Sequence, residues 1–298
     1  MTADTEVLPG EVDWLGDCNE HPYLVVDVFT SQPLQGNQLG VFLDGRPFSD
    51  DEMQRLAREM NFAETVFLLP PRSDGDVAVR IFAPEEELPF AGHPVLGTAF
   101  VAGNALGVDA VVLETGLGPV PITLEREGGR VVFGRMQQPI PTPEPFDRAD
   151  ELLAGLGVRS SELPVELYRN GPPHVYVALT DEQAVAGLRP DMTRLERLEI
   201  CANCFAGSGR RWKTRMFAPG VVVPEDPATG SAAGPLAVHL ARHGRIQFGE
   251  EIEIRQGEEI KRPSLLYAKV TGTAERIESV EVGGAAQIVA AGSFRLTA

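Results

Sequence analysis

Glu64 stands in the segment Asn61-Phe62-Ala63-Glu64-Thr65-Val66-Phe67, between a helical pattern and a β-rich run. A carboxylate held in a cleft can take a proton from carbon and return it, because after abstraction it is itself the acid. Taken without further context, the local sequence reads first as a solvated glutamate at a helix end. His93 lies in Pro89-Phe90-Ala91-Gly92-His93-Pro94, where a capping or core histidine is the plain alternative. Asp226 lies in Glu225-Asp226-Pro227, and Asp-Pro also starts ordinary turns. Gly92-His93 and Gly230-Ser231 each open an apolar helical stretch. A helix N-terminus presents free N–H groups and a partial positive charge. Two such ends facing one cleft would hold a carboxylate and stabilise an enolate-like charge. The competing reading gives these glycines to packing and tight turns.

The elements that position these residues show an internal match. Arg80-Ile81-Phe82-Ala83-Pro84, then Pro89, then Gly97-Thr98-Ala99 corresponds to Arg215-Met216-Phe217-Ala218-Pro219, then Pro224, then Gly230-Ser231-Ala232. The first ten positions align without a gap and the glycine turns after a shift of two. A strand, a Phe-Ala-Pro turn and a Gly-rich helix start, present twice, predict a duplicated domain. The helices, expected at 94–106 and 230–243, begin apolar on nearly every side. Such helices are buried, for instance inside a strongly curved sheet.

Elsewhere the pattern predicts a strand from Pro22 to Phe29 and another at Val41-Phe42-Leu43. Ser49-Asp50-Asp51-Glu52 is a capping box for a helix to about Met60. Strands are expected at Thr65–Leu69 and Val77–Phe82. The proline-rich run from Gln138 to Pro145 reads as an extended linker. The predicted divisions are a poorly ordered leader at 1–20, an N-terminal half at 21–139 and a C-terminal half at 140–298, whose last strand is free to return to the first half.

The 298 residues carry a formal net charge of -17, with 43% hydrophobic residues. That field repels nucleic acid and anionic lipid, so neither is expected as a partner. No apolar run approaches the ~18 residues that span a bilayer, and the N-terminus has no signal-peptide pattern. A cytoplasmic location is the default expectation. Cys18, Cys201 and Cys204 are too few for a disulfide scaffold. A single C-x-x-C is a weak zinc signal, and on a strand its cysteines would point to opposite faces. No metal site is expected. Arg210, Arg211 and Lys213 read as a solvated basic loop, with Arg215 belonging to the repeat.

Four segments together resemble the PhzF family of phenazine-biosynthesis isomerases. They are Val28-Phe29-Thr30 with Pro33, Gly36 and Asn37; Asn61 to Phe67; Pro89 to Pro94; and Glu225 to Ala232. They occur in the family's order and the resemblance covers about 22–298. The chain departs from it at Ala83, where the family often has Thr, and at Gln38, where it often has Pro. The resemblance implies the diaminopimelate-epimerase-like α/β fold, with two similar halves, each a curved sheet around a central helix, and the active site between them. It implies a homodimer, no cofactor and a small carboxylated substrate. It assigns Glu64 as catalytic acid/base, and His93, Asp226, Ser231, Gly92, Gly230 and Asn37 as substrate-binding residues.

On this reading Glu64 removes a proton next to the substrate carboxylate and returns it further along a conjugated system. In the family's best-known member the substrate is trans-2,3-dihydro-3-hydroxyanthranilate. Other unsaturated amino acids are alternatives. An epimerase or racemase on the same fold would need two bases, in the diaminopimelate epimerase both cysteines. No cysteine here lies at either glycine turn. A non-catalytic binding protein is the remaining class.

Overall fold

The computed structural model describes residues 19–220 and 223–296. In the first part of the chain the elements are β1 (Asn19–Val28), β2 (Asn37–Phe42), α1 (Asp50–Met60), β3 (Glu64–Leu69), β4 (Val77–Phe82), β5 (Glu87–Leu88), α2 (Gly92–Leu106), β6 (Ala110–Thr115), β7 (Gly118–Glu127) and β8 (Arg130–Gln137). They continue with β9 (Thr142–Pro145), α3 (Ala149–Leu156), β10 (Glu166–Arg169), β11 (Pro173–Ala178), α4 (Glu182–Ala186), α5 (Met192–Glu196), β12 (Cys201–Ser208) and β13 (Arg211–Phe217). The last elements are α6 (Gly230–Arg242), β14 (Glu251–Gln256), β15 (Ser264–Gly272), β16 (Ile277–Gly284) and β17 (Ala286–Leu296).

This is a mixed α/β fold whose strand pairing repeats. One run has the neighbours β17-β1-β2-β3-β4-β6-β7-β8, and the other β9-β10-β11-β12-β13-β14-β15-β16. Both runs alternate in the same way: two antiparallel pairings, a parallel, an antiparallel, a parallel, then two antiparallel. They join where β8 pairs with β16. The final strand β17 crosses back to pair with β1.

Each run encloses one helix. The α2 residues from Gly92 to Gly103 are all buried, as are those of α6 from Gly230 to Ala241. One apolar core surrounds both helices, with Leu96, Phe100, Leu236 and Leu240 among its residues. Pro94 sits in the first turn of α2, where a missing N–H costs nothing. Pro235 sits inside α6 and cannot donate to the Ser231 carbonyl. Asn170 Nδ2 supplies that bond instead, at 3.0 Å. A smaller core packs under α3, with Leu152, Val177 and Phe217. A third is aromatic, with Phe42 stacked on Phe67 at 4.7 Å beside α1.

Several expectations change. β1 starts at Asn19, ahead of Pro22, because Asn19 and Glu20 pair with Leu296 and Arg295, a partner remote in sequence. The rest of the expected leader, with Cys18, lies outside the described residues. The proline-rich linker contains β9, which pairs with β10 alone among the described strands. Pro143 and Pro145 lack a donor, and an edge strand tolerates that. The basic segment is not a solvated loop beyond Arg210: Arg211 to Arg215 are in β13. Lys213 is buried and ion-paired with Glu258 and Glu259. Arg215 pairs with Glu225 at 2.8 Å and donates to the carbonyls of Ala186 and Leu188. On β12, Cys201 packs with Met216 and Ala218, whereas Cys204 packs into the smaller core.

Candidate active site

A capping box between Ser49 and Glu52 starts α1, and Asn61 ends it in the left-handed conformation at φ 52°. The chain therefore reverses before Phe62 and enters β3 at Glu64. That first strand residue points its carboxyl into a cavity of about 500 Å³. His93, the second residue of α2, and Asp226, after β13, line the same cavity, together with Gly92, Gly230 and Ser231. Asn37, the first residue of β2, stands behind it. Its Nδ2 donates to Asp226 Oδ1 at 2.8 Å and to the Ala228 carbonyl at 2.9 Å.

The two carboxyl groups sit in different surroundings. Asp226 Oδ2 accepts from Thr229 Oγ1 at 2.6 Å, and Oδ1 accepts from Asn37. Gln256 Nε2 holds the arrangement by donating to Thr229 Oγ1 and to the Asp226 carbonyl, both at 2.9 Å. Burial pushes the Asp226 carboxyl up to about 6, against the lowering effect of those donors. Glu64 Oε2 has no hydrogen-bond partner. Burial, and then the nearby Asp226 charge, raise the Glu64 carboxyl well above 4.5. The charge of the pair settles on Asp226 and the proton on Glu64.

His93 Nε2 lies 3.4 Å from Glu64 Oε2, and neither atom has a hydrogen-bond partner. Burial pushes the His93 imidazole down to about 3, with only a partial offset from the Gln38 backbone. The contact therefore joins two neutral groups, not an ion pair. Both leave polar capacity unused at the cavity wall.

The two central helices meet here by their N-termini. A Cβ on Gly92 would lie 2.6 Å from the Ser231 nitrogen and 2.7 Å from the Gly230 carbonyl carbon. A Cβ on Gly230 would lie 3.1 Å from the His93 nitrogen. Only glycine permits this approach at Gly92, and neither helix has a side-chain cap. Their first N–H groups are free to bind an anion.

Sequence reasoning missed His174, Asn203 and Asn170. His174 is buried and its Nε2 lies 3.0 Å from Ser231 Oγ. Asn203 Nδ2 lies 3.3 Å from His174 Nδ1. The signal was the duplication: His174 lies near the start of β11, the counterpart of β2, which Asn37 opens.

Cys201 also lines the cavity, although it lies at neither glycine turn. Thr65 pairs with Phe82, and Ala202 pairs with Phe217. Phe82 and Phe217 are repeat equivalents, so Cys201 holds the position that Glu64 holds in the other half. Burial, and then Asp226 and Glu64, push its thiol up to about 12. It stays protonated and makes a poor second base.

Away from the cavity, Glu166, His239 and His243 bring potential metal-binding atoms within 4.8 Å of one another. Arg242 Nη1 already donates to Glu166 Oε2 at 2.9 Å and occupies the place of a cation.

Residues 26–292 match the PhzC-PhzF family of phenazine biosynthesis-like proteins. The chain is 54% identical over 265 residues to a trans-2,3-dihydro-3-hydroxyanthranilate isomerase of Pseudomonas aeruginosa, covering 89% of this chain and 95% of that protein. A PhzF-family phenazine biosynthesis protein of Bacillus anthracis shares the fold at a TM-score of 0.80, with 24% identity over 93% of this chain and 99% of that one. A hydroxyproline epimerase of Agrobacterium vitis shares it at 0.62, with 15% identity over 93% and 91% of the two chains.

Proposed function

The chain belongs to the PhzC-PhzF family of phenazine biosynthesis-like proteins, and from that premise we propose that it isomerises trans-2,3-dihydro-3-hydroxyanthranilate with Glu64 as its proton carrier. It is an isomerase of the PhzF type. The observation that carries the role of Glu64 is its buried carboxyl, with one oxygen unpartnered, at a cavity between two helix N-termini.

The chemistry of that substrate sets the direction. Its C1 bears the carboxylate, is part of a double bond and carries no hydrogen. The order anticipated from sequence, abstraction beside the carboxylate, therefore reverses. The hydrogen on C3 is acidified because two double bonds conjugate it to the carboxylate. Glu64 takes that proton as the C3–H bond breaks. The electron pair moves through the conjugated system, and charge builds on the carboxylate oxygens. Glu64 then delivers the proton to C1, where a new C–H bond forms. The C3 enol left behind becomes a ketone by proton exchange. Atoms and electrons balance without an external acceptor, so the reading needs no cofactor.

In this scheme the free N–H groups around Gly92 and Gly230 receive the carboxylate and the charge that develops on it. His93 and Asp226 orient the amino and hydroxyl groups. Burial makes ionised Glu64 a strong base and neutral Glu64 an available acid. A substrate ammonium entering the cavity favours the ionised form.

We extend the reading to a homodimer acting in the cytoplasm. Support for the dimer is the outer edge of β17, which pairs with β1 alone among the described strands and exposes Ile288. Among the described residues no helix is long and apolar enough to cross a membrane. The test of the reaction is conversion, in ordinary water, of substrate deuterated at C3. Deuterium at C1 supports the scheme, and unchanged turnover by Glu64→Gln removes Glu64 from it.

A further inference from the structure

The hydrogen bonds behind Ser231 run in one direction. Asn203 Nδ2 donates to the Cys201 carbonyl at 2.8 Å. That contact fixes the amide, because the flipped form would set the Asn203 oxygen against the carbonyl oxygen. The same Nδ2 carries a second hydrogen and faces His174 Nδ1 at 3.3 Å. Nδ1 must then be the acceptor, so the imidazole proton is on Nε2. Nε2 faces Ser231 Oγ at 3.0 Å and donates to it. Ser231 already accepts from behind, and its own hydrogen is left for the cavity it lines. The Ser231 carbonyl is held separately, by Asn170 Nδ2 at 3.0 Å.

We infer that His174, its tautomer set by Asn203, is a positioning residue that leaves the Ser231 hydroxyl free to donate its hydrogen to the substrate carboxylate. The inference rests on the proposed reading of this cavity as the place where a carboxylate binds, and it names the group that selects the anion there. An acceptor facing Ser231 is matched. Oγ keeps one further lone pair, so the arrangement favours an anion by aiming the hydrogen at the cavity and does not exclude a donor. Burial keeps the imidazole neutral, at about 3, so the relay does not switch in the neutral range. His174, Asn203 and Ser231 are all buried, so water does not compete freely for these bonds.

The direct test is 15N NMR of the ligand-free protein with labelled histidine, assigned through a His174→Gln spectrum. The expected result is a proton on His174 Nε2 and a bare Nδ1. A proton on Nδ1 overturns the inference whatever the substrate proves to be. The second arm measures anthranilate binding, the aromatic relative of the proposed substrate. Asn203→Leu releases the tautomer and should weaken anthranilate by about tenfold, the size of one hydrogen bond to a charged group. In a Ser231→Ala background the same substitution should change nothing further. An equal loss in both backgrounds shows that Asn203 only shapes the pocket and overturns the inference. Failure of the natural protein to bind anthranilate counts against the proposed substrate class, while the NMR result still decides the relay.

Discussion

Glu64 Oε2 and His93 Nε2 face each other at 3.4 Å with no hydrogen bond between them or to any other group. A buried pair left in that state is under-satisfied, and a ligand that supplies partners gains affinity from it. Glu64→Gln keeps the shape and removes the proposed proton carrier. Turnover of the substrate should fall by a factor of about 10²–10⁴, the usual range for a general acid/base. Anthranilate affinity should stay close to that of the natural protein. Retained turnover would falsify the assignment of Glu64.

The acid limb of the pH–rate profile should lie above the ordinary carboxylate range. The base must be ionised, and burial and Asp226 raise Glu64 well above 4.5. Activity therefore rises as pH increases through that raised value. Asp226→Asn removes the nearby charge, so the limb should move to lower pH in whatever activity remains. A limb that moves upward contradicts this account of the pair.

Stability should show the same group with its own sign. Glu64 holds its proton more tightly folded than unfolded, so its contribution is fully present below the unfolded value near 4.5. It is lost as pH rises through the folded value. Glu64→Gln should therefore melt higher than the natural protein, by a margin that widens with pH. Thermal melts across that range check it, and a margin that narrows with pH is the contrary result.

Gly92→Ala should damage both stability and binding. The new Cβ would meet backbone atoms of Gly230 and Ser231 at 2.6–2.7 Å, and backbone does not move aside cheaply. A cost of about 1–3 kcal/mol is expected, as for other overpacked sites, with a higher KM because the two helix ends separate. A melt and a KM equal to those of the natural protein would show that the ends tolerate a side chain.

Cys201 should resist alkylation at neutral pH although it lines the cavity. The reactive form is the thiolate, and the thiol is pushed up to about 12. Peptide mapping after iodoacetamide treatment measures it. Rapid labelling blocked by anthranilate would indicate an ionised thiol and restore the two-base epimerase reading.

Local physical chemistry was enough for much of this protein. The capping box at Ser49 and Glu52 and the all-round apolar starts of both central helices follow from short-range rules, and they appear at α1, α2 and α6. The repeated Phe-Ala-Pro turns announced a duplication, and the two runs of strands share one order of pairings. The four family segments marked Glu64, His93 and Asp226, which line one cavity.

Other features depend on partners far away in the chain, and no local pattern encodes them. Asn19 joins a strand only because β17 returns from the other end. Pro143 and Pro145 form a strand because β10 offers them an edge. Lys213 reads as a surface cation until Glu258 and Glu259 meet it. Glu64 itself is the clearest case. Residue type made it a possible acid/base, but its raised proton affinity comes from burial beneath α2 and from Asp226, which lies 162 positions further along (226 less 64). The same holds for Cys201, whose place opposite number to Glu64 in the repeat is visible only through the pairings Thr65–Phe82 and Ala202–Phe217. Desolvation and charge proximity are properties of assembled space, so tertiary structure alone decided which carboxyl keeps the proton.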